Sequence, residues 1–270
     1  MSEIDVNNSK VNSNQNIQPL NNAQNSQTEE QNSIFPIDKN SANGILEEFN
    51  QGRIGDCGLI ATLASFKNSV CGSELIKQAI SQTQNGYSVY FKGNGKAYEI
   101  TFEELEKAKQ GGYSRGETDE EPADEDALLF ELAFEKVCSE EPSGVMKFKH
   151  IVNSIFSFLG LSEDKYADKK SIESESPYYF MELLTGKNAR MITNFLGDFK
   201  SANLILNKLK DKDFVACISF DMDESGHVWS IKSIDDEYVT LINPWDTDKE
   251  EKVKREELSK AQRIEYVIFD

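Results

Sequence analysis

QGRIGDCGLIATLASF, residues 51–66, is where this 270-residue chain changes texture. Before it lies polar sequence; from Ile45 onward apolar residues recur. Within it, Leu59, Leu63 and Phe66 share one face at the three-and-four spacing of a helix, and Asp56 stands where an N-cap belongs. The reading is a helix opened by Cys57. A thiol there meets unpaired backbone N–H groups and the positive end of the helix dipole, both of which favour a thiolate. The Gly-Asp before Cys57 and the polar Gln51-Gly52-Arg53 put it at the edge of a cleft rather than in a core.

Working outward, residues 86–102, GYSVYFKGNGKAYEITF, alternate on both sides of Gly93-Asn94-Gly95 and predict a β-hairpin. A short helix is expected over 103–109. An acidic run, Glu117 to Asp126, precedes an apolar helix from Asp126 to about Cys138. Further helices are expected over 148–159 and 199–209. The last seventy residues turn to strands at 214–220, 227–234, 238–242 and 264–269. A helix-rich part carrying the cysteine followed by a sheet-rich part is an α+β layout with two lobes, divided near 195/196 within a domain spanning 43–270. Half of residues 1–40 are Asn, Gln or Ser. Residues 1–42 therefore form a tail expected to stay disordered, because so little apolar surface cannot offset ordering entropy.

A net charge of -18 and a pI near 4.6 oppose binding to nucleic acid, whose affinity rests on cationic neutralisation of phosphates. No stretch is apolar enough to cross a bilayer, and the N-terminus lacks the charged-then-apolar pattern of a secretory signal. The cysteines, Cys57, Cys71, Cys138 and Cys217, are irregularly spaced and without a CxxC pair, which reads as reduced thiols in a cytosol-like compartment. Cys71, Cys138 and Cys217 are assigned as small buried hydrophobes. Export through the polar tail by a route other than Sec stays open, and the sequence assigns no oligomeric state.

The chain has two histidines, so the choice of a general base is short. His150 begins an apolar helical stretch and is assigned a structural role. His227 follows Ser225-Gly226 and leads into Val228-Trp229-Ser230-Ile231, a strand that would hold an imidazole rigidly. Sixteen residues later, Asn243 in Leu241-Ile242-Asn243-Pro244-Trp245 ends the next strand, where an amide can orient the ring across a hairpin. Cys57, His227 and Asn243 thus form a candidate triad.

Taken together, these segments resemble the calpain-like cysteine peptidases of the papain-like group. Gln51 to Phe66 looks like that family's nucleophile block, GHVWSI (226–231) its histidine block and INPWD (242–246) its asparagine block; ELAFEKV (131–137) and ELLTG (182–186) are similar to segments between them. The likeness runs from about Ile45 to Asp270. It implies a two-lobed papain-like core. It also implies an oxyanion hole built from Gln51, six positions before the nucleophile, and the Cys57 backbone N–H. Two positions depart: Gly58 stands where the family has tryptophan, and Asp246 where it has glycine. Gly58 and Trp245 would pack around the site.

The expected activity is cysteine endopeptidase action on a protein or peptide substrate. Glutamine deamidation or acyl transfer by the same triad, and a catalytically inactive binding module of the same fold, are the alternatives. No cofactor is required and no metal ligand is assigned. Calcium is left open, because the run 117–126 is rich in carboxylates but lacks the spacing of an EF-hand loop.

Overall fold

The structure is a computed structural model, and it describes residues 42–118, 121, 123–140, 172, 175–193, 199–220 and 227–269. All of these fall within one compact unit, Ile37–Asp270. The polar tail (except Ala42), the helix expected over 148–159 and His150 lie outside the described residues.

Mixed helix and sheet were expected and are found. Helix α1 (Cys57–Asn68) is buried along most of its length, from Gly58 to Phe66. Helix α2 (Val70–Ala79) follows at once; the Ser69 hydroxyl caps it by accepting from the Gly72 N–H, and Asp213 accepts from the Val70 and Cys71 N–H groups. Strands β1 (Ile80–Thr83), β2 (Gly86–Phe91) and β3 (Lys96–Thr101) form a three-stranded antiparallel sheet. At the predicted turn, Gly95 is left-handed, with φ 68°. Helix α3 (Phe102–Gln110) opens on a capping box between Thr101 and Glu104. Helices α4 (Glu125–Glu140) and α5 (Pro177–Thr185) complete this part. Its centre is aromatic: Phe180 meets Phe66, Phe91, Phe130 and Phe134 edge-on, with centroids 5.2–6.1 Å apart.

The remainder is a six-stranded antiparallel sheet: β4 (Arg190–Thr193), β5 (Asp213–Phe220), β6 (Val228–Ile234), β7 (Tyr238–Asn243), β8 (Asp246–Lys254) and β9 (Ala261–Phe269), in the order β4-β9-β5-β6-β7-β8. One face, through Val215, Cys217, Val228, Ile242, Val267 and Phe269, joins the helical core. The other, through Ala216, Ile218, Ile231, Leu241 and Ile264, packs on Leu206 and Leu209 of helix α6 (Phe199–Leu209). Successive residues of β5 point to opposite faces, and because different layers cover the two faces its central residues form a continuous buried run. Helix α1 lies on the first face, and this contact positions the site. Ser65 Oγ accepts from the Ala216 N–H at 2.8 Å, and Thr62 Oγ1 meets Cys217 Sγ at 3.5 Å.

Candidate active site

Three segments meet at the start of α1. The first is the loop 50–56. It is pinned by the Gln51 N–H, which donates to the Pro244 carbonyl at 2.7 Å, and by the Asn50 side chain, which accepts from the Thr247 N–H at 2.6 Å. Gln51 is thereby tied directly to the residue after Asn243. On the other side, Asn50 bridges Arg115, and the N–H groups of Arg53 and Ile54 both donate to the Gly112 carbonyl. Gly52 is needed here: a Cβ on it would sit 1.8 Å from the Tyr113 carbonyl oxygen.

The second segment is the hairpin β6–β7. His227 Nε2 and Asn243 Oδ1 are 3.0 Å apart, and the same Oδ1 accepts from the Trp245 N–H at 3.1 Å. A backbone N–H can only donate, so that atom of Asn243 is the carbonyl oxygen and His227 Nε2 carries the proton. That tautomer leaves Nδ1 as the acceptor. The β7–β8 register shifts between Ile242 and Asn243, a local irregularity that re-aims the amide. Trp245 lies over the imidazole with centroids 4.5 Å apart and Trp229 meets it edge-on at 5.8 Å. Trp245 nevertheless remains 57% exposed, so it roofs the His–Asn pair without being buried itself.

The third segment is the first turn of α1. The Leu59 and Ile60 N–H groups bond the Asp56 carbonyl, while the Val228 and Gly58 N–H groups point at the Cys57 sulfur. Val228 follows His227, so this contact ties the thiol to the start of β6. The expectation of a thiol acidified by its helix terminus needs correction. Burial pushes the Cys57 thiol above its ordinary value; the two N–H groups and Arg263 act the other way, and the Asp56 carboxylate adds to the rise. The helix end alone does not make a thiolate here.

Asp56 sits at the N-cap position, but its side chain makes no capping bond; burial and then the Asp56 charge push the carboxyl of Glu131, fully buried in α4, well above the usual carboxylate range. Gln51 is 7% exposed, with Nε2 donating to the Ile54 carbonyl at 2.8 Å, which leaves one amide hydrogen for another acceptor. Gly58 is explained by its wall. A Cβ there would lie 2.6 Å from the Glu175 carbonyl oxygen, so the chain just before α5 fills the space a larger residue would take. Beside that wall, the Ser176 hydroxyl donates to Glu265, which is also 3.4 Å from Arg263.

No family model matches the chain, and no curated protein matches it closely enough to name a relative.

Of the residues singled out in the sequence, the structure joins His227, Asn243 and Trp245 directly, sets Gln51 against Pro244, and sets Cys57 against Val228. Sequence reasoning missed Glu131, whose signal was a carboxylate set in the apolar run Leu128 to Phe134, and the wall at 175–177, which carried no signal. Of the three cysteines assigned as buried, Cys138 and Cys217 are buried and Cys71 is exposed, its thiol donating to Asp213. Among the described residues, no group of three or more His, Cys, Asp and Glu side chains could hold a metal, and no helix is long and apolar enough to cross a membrane. The acidic run ends in a backbone clamp. Asp126 Oδ2 accepts from the Asn43, Gly44 and Ile45 N–H groups at 2.9–3.1 Å, and Asp124 from the Glu47 N–H at 2.6 Å.

Proposed function

We propose that this chain is a papain-like cysteine hydrolase of the calpain-like kind that cleaves protein or peptide substrates. The observation that carries it is the bond between His227 Nε2 and Asn243 Oδ1, with the next residue's N–H directed at the Cys57 sulfur. Because burial opposes a lone thiolate, ionisation is coupled to a proton acceptor: Nδ1 takes the thiol proton, and the resulting imidazolium stabilises the thiolate as an ion pair. Asn243 holds the ring for that transfer. The thiolate attacks the scissile carbonyl, and the Cys57 N–H and the free Gln51 amide hydrogen receive the oxyanion. His227 then returns the proton to the leaving amine, and water attacks the thioester to release the acid and the thiol. The cleft would lie between the helical part and the six-stranded sheet, the two lobes of a papain-like core.

Incubating the protein with a thiol-reactive electrophilic peptide analogue, with and without calcium, and measuring intact mass tests this. Single labelling at Cys57, lost in Cys57→Ala and sharply slowed in His227→Ala, is expected; slow labelling spread over the four cysteines would overturn it. With a protein substrate, hydrolysis yields fragments, whereas deamidation leaves the chain intact and about one dalton heavier.

A further inference from the structure

Asn50, the residue before Gln51, is 5% exposed and ties two other segments to its own loop. Its backbone pairs with Arg115 in both directions: the Asn50 N–H donates to the Arg115 carbonyl at 2.8 Å, and the Arg115 N–H to the Asn50 carbonyl at 2.9 Å. Its side chain donates from Nδ2 to the Gly116 carbonyl at 2.9 Å and accepts at Oδ1 from the Thr247 N–H at 2.6 Å. These partners fix which way the amide points, because a carbonyl only accepts and a backbone N–H only donates. From Arg115 the circuit closes, since its Nη2 donates to the Trp245 carbonyl at 3.2 Å, two residues before Thr247. The neighbours of Asn50 engage the same turn. The Thr247 hydroxyl donates to the Phe49 carbonyl at 2.5 Å, and the Gln51 N–H donates to the Pro244 carbonyl at 2.7 Å. Residues 49, 50 and 51 in succession thus hold the chain where β7 turns into β8, the turn that carries Trp245. We infer that Asn50 is a positioning residue: its side chain sets the Gln51 loop in register with the His227–Asn243 hairpin, and so fixes the oxyanion donor relative to the base.

The two halves of the site need this brace unequally. The His227–Asn243 pair is closed within the β6–β7 hairpin and by the Trp245 N–H, so it owes nothing to Asn50. Gln51 sits in a loop whose own bonds do not reach the hairpin. Its Nε2 donates to the Ile54 carbonyl, and the Arg53 and Ile54 N–H groups turn the other way, to Gly112. The link from this loop to the hairpin runs through residues 49–51. Asn50 makes it with both ends of one short amide. An aspartate could accept from Thr247 but not donate to Gly116, and an alanine could do neither. A donor displaced by about an ångström loses up to about a hundredfold in rate. Loss of the brace therefore weakens oxyanion binding and spares thiolate formation, a split that general loosening of the site would not give.

The inference rests on the hydrolase reading for its consequence, and its test separates the two. Two probes of Cys57 are compared in the full chain. Iodoacetamide alkylates by displacement and forms no oxyanion; an acetylated dipeptide aldehyde gives an adduct whose oxygen lies where the oxyanion would form. Asn50→Ala should be alkylated within about threefold of wild type yet bind the aldehyde about tenfold or more weakly. In a Gln51→Ala background the same change should cost less than about twofold, since its effect runs through Gln51. Should Asn50→Ala fail to fold, Thr247→Val breaks the same brace at the Phe49 carbonyl and should show the split at about threefold. Hydrogen exchange is read in the same variants: the Gln51 amide should exchange about tenfold or more faster, while the β5–β9 ladder keeps its protection. Equal losses with both probes, unchanged aldehyde binding, an additive double variant, or a Gln51 amide as protected as in wild type overturns the inference while Cys57 stands. If wild type takes up neither probe at Cys57, the nucleophile assignment falls, and the exchange of the Gln51 amide alone then decides whether Asn50 holds the loop.

Discussion

On the imidazole side of the site the hydrogen bonds close on themselves. His227 donates to Asn243, Trp245 donates to the same oxygen, and a tryptophan ring covers both. On the thiol side burial opposes charge: the Cys57 thiol is pushed up by burial and by the Asp56 carboxylate, and Gln51 Oε1 is buried with no hydrogen-bond partner among the described residues. One half is preorganised and relaxed, and the other is held against its own electrostatics by its neighbours. Catalytic sites commonly divide in this way, because a group that must change charge during reaction cannot be fully satisfied in one charge state.

Four substitutions would break or sharpen that contrast. Gln51→Ala should slow turnover roughly a hundredfold, the scale of one lost oxyanion donor, with KM little changed; an unchanged kcat removes Gln51 from the oxyanion hole. Asn243→Ala should slow turnover on the order of tenfold, less than a general base contributes in all, since Trp245 and Trp229 still flank the ring. A larger loss than for Gln51→Ala would show that the imidazole half is the more fragile one. Gly58→Ala drives a Cβ toward the Glu175 carbonyl at 2.6 Å and should destabilise the fold by about 1–3 kcal/mol in urea unfolding.

The smallest effect concerns pH. Burial, then the Asp126 charge, raises Asp124 from 3.8 to about 7. The folded state therefore favours the protonated acid; this contribution to stability is fully present below pH 3.8 and is lost as pH rises through about 7. Asp124→Asn should flatten the fall in stability across that window, and an unflattened curve would show that Asp124 is not the group responsible. Asp126, raised in the same direction, leaves a residual slope.

Where local pattern governs, the sequence was legible. Helices α1, α3, α4 and α6, the β2–β3 hairpin and strands β5, β6, β7 and β9 follow from periodicity and turn residues. The elements not foreseen are those that other parts of the chain impose. Strand β8, DTDKEEKVK, has no apolar alternation and forms because β7 offers it a ladder. Strand β4 is a short edge that, among the described residues, pairs with β9 alone. Helix α2 buries only Gly72, Ile76 and Ala79, too few to announce a face. Cys57, His227 and Asn243 stood out because each opens or closes its own element. The wall that Glu175 and Pro177 set against Gly58 did not, since those residues are 117 and 119 positions away and carry no pattern that points back to it.

The tight approach at Gly58 also constrains how this chain could change over generations. A bulky residue at 58 meets the backbone at Glu175 and the ring of Pro177, so it cannot enter first. A retreat of that segment alone would open a void beside Cys57. Single steps in either order pass through a damaged intermediate, so glycine here and the wall opposite it form a coupled pair, to be inherited or exchanged together.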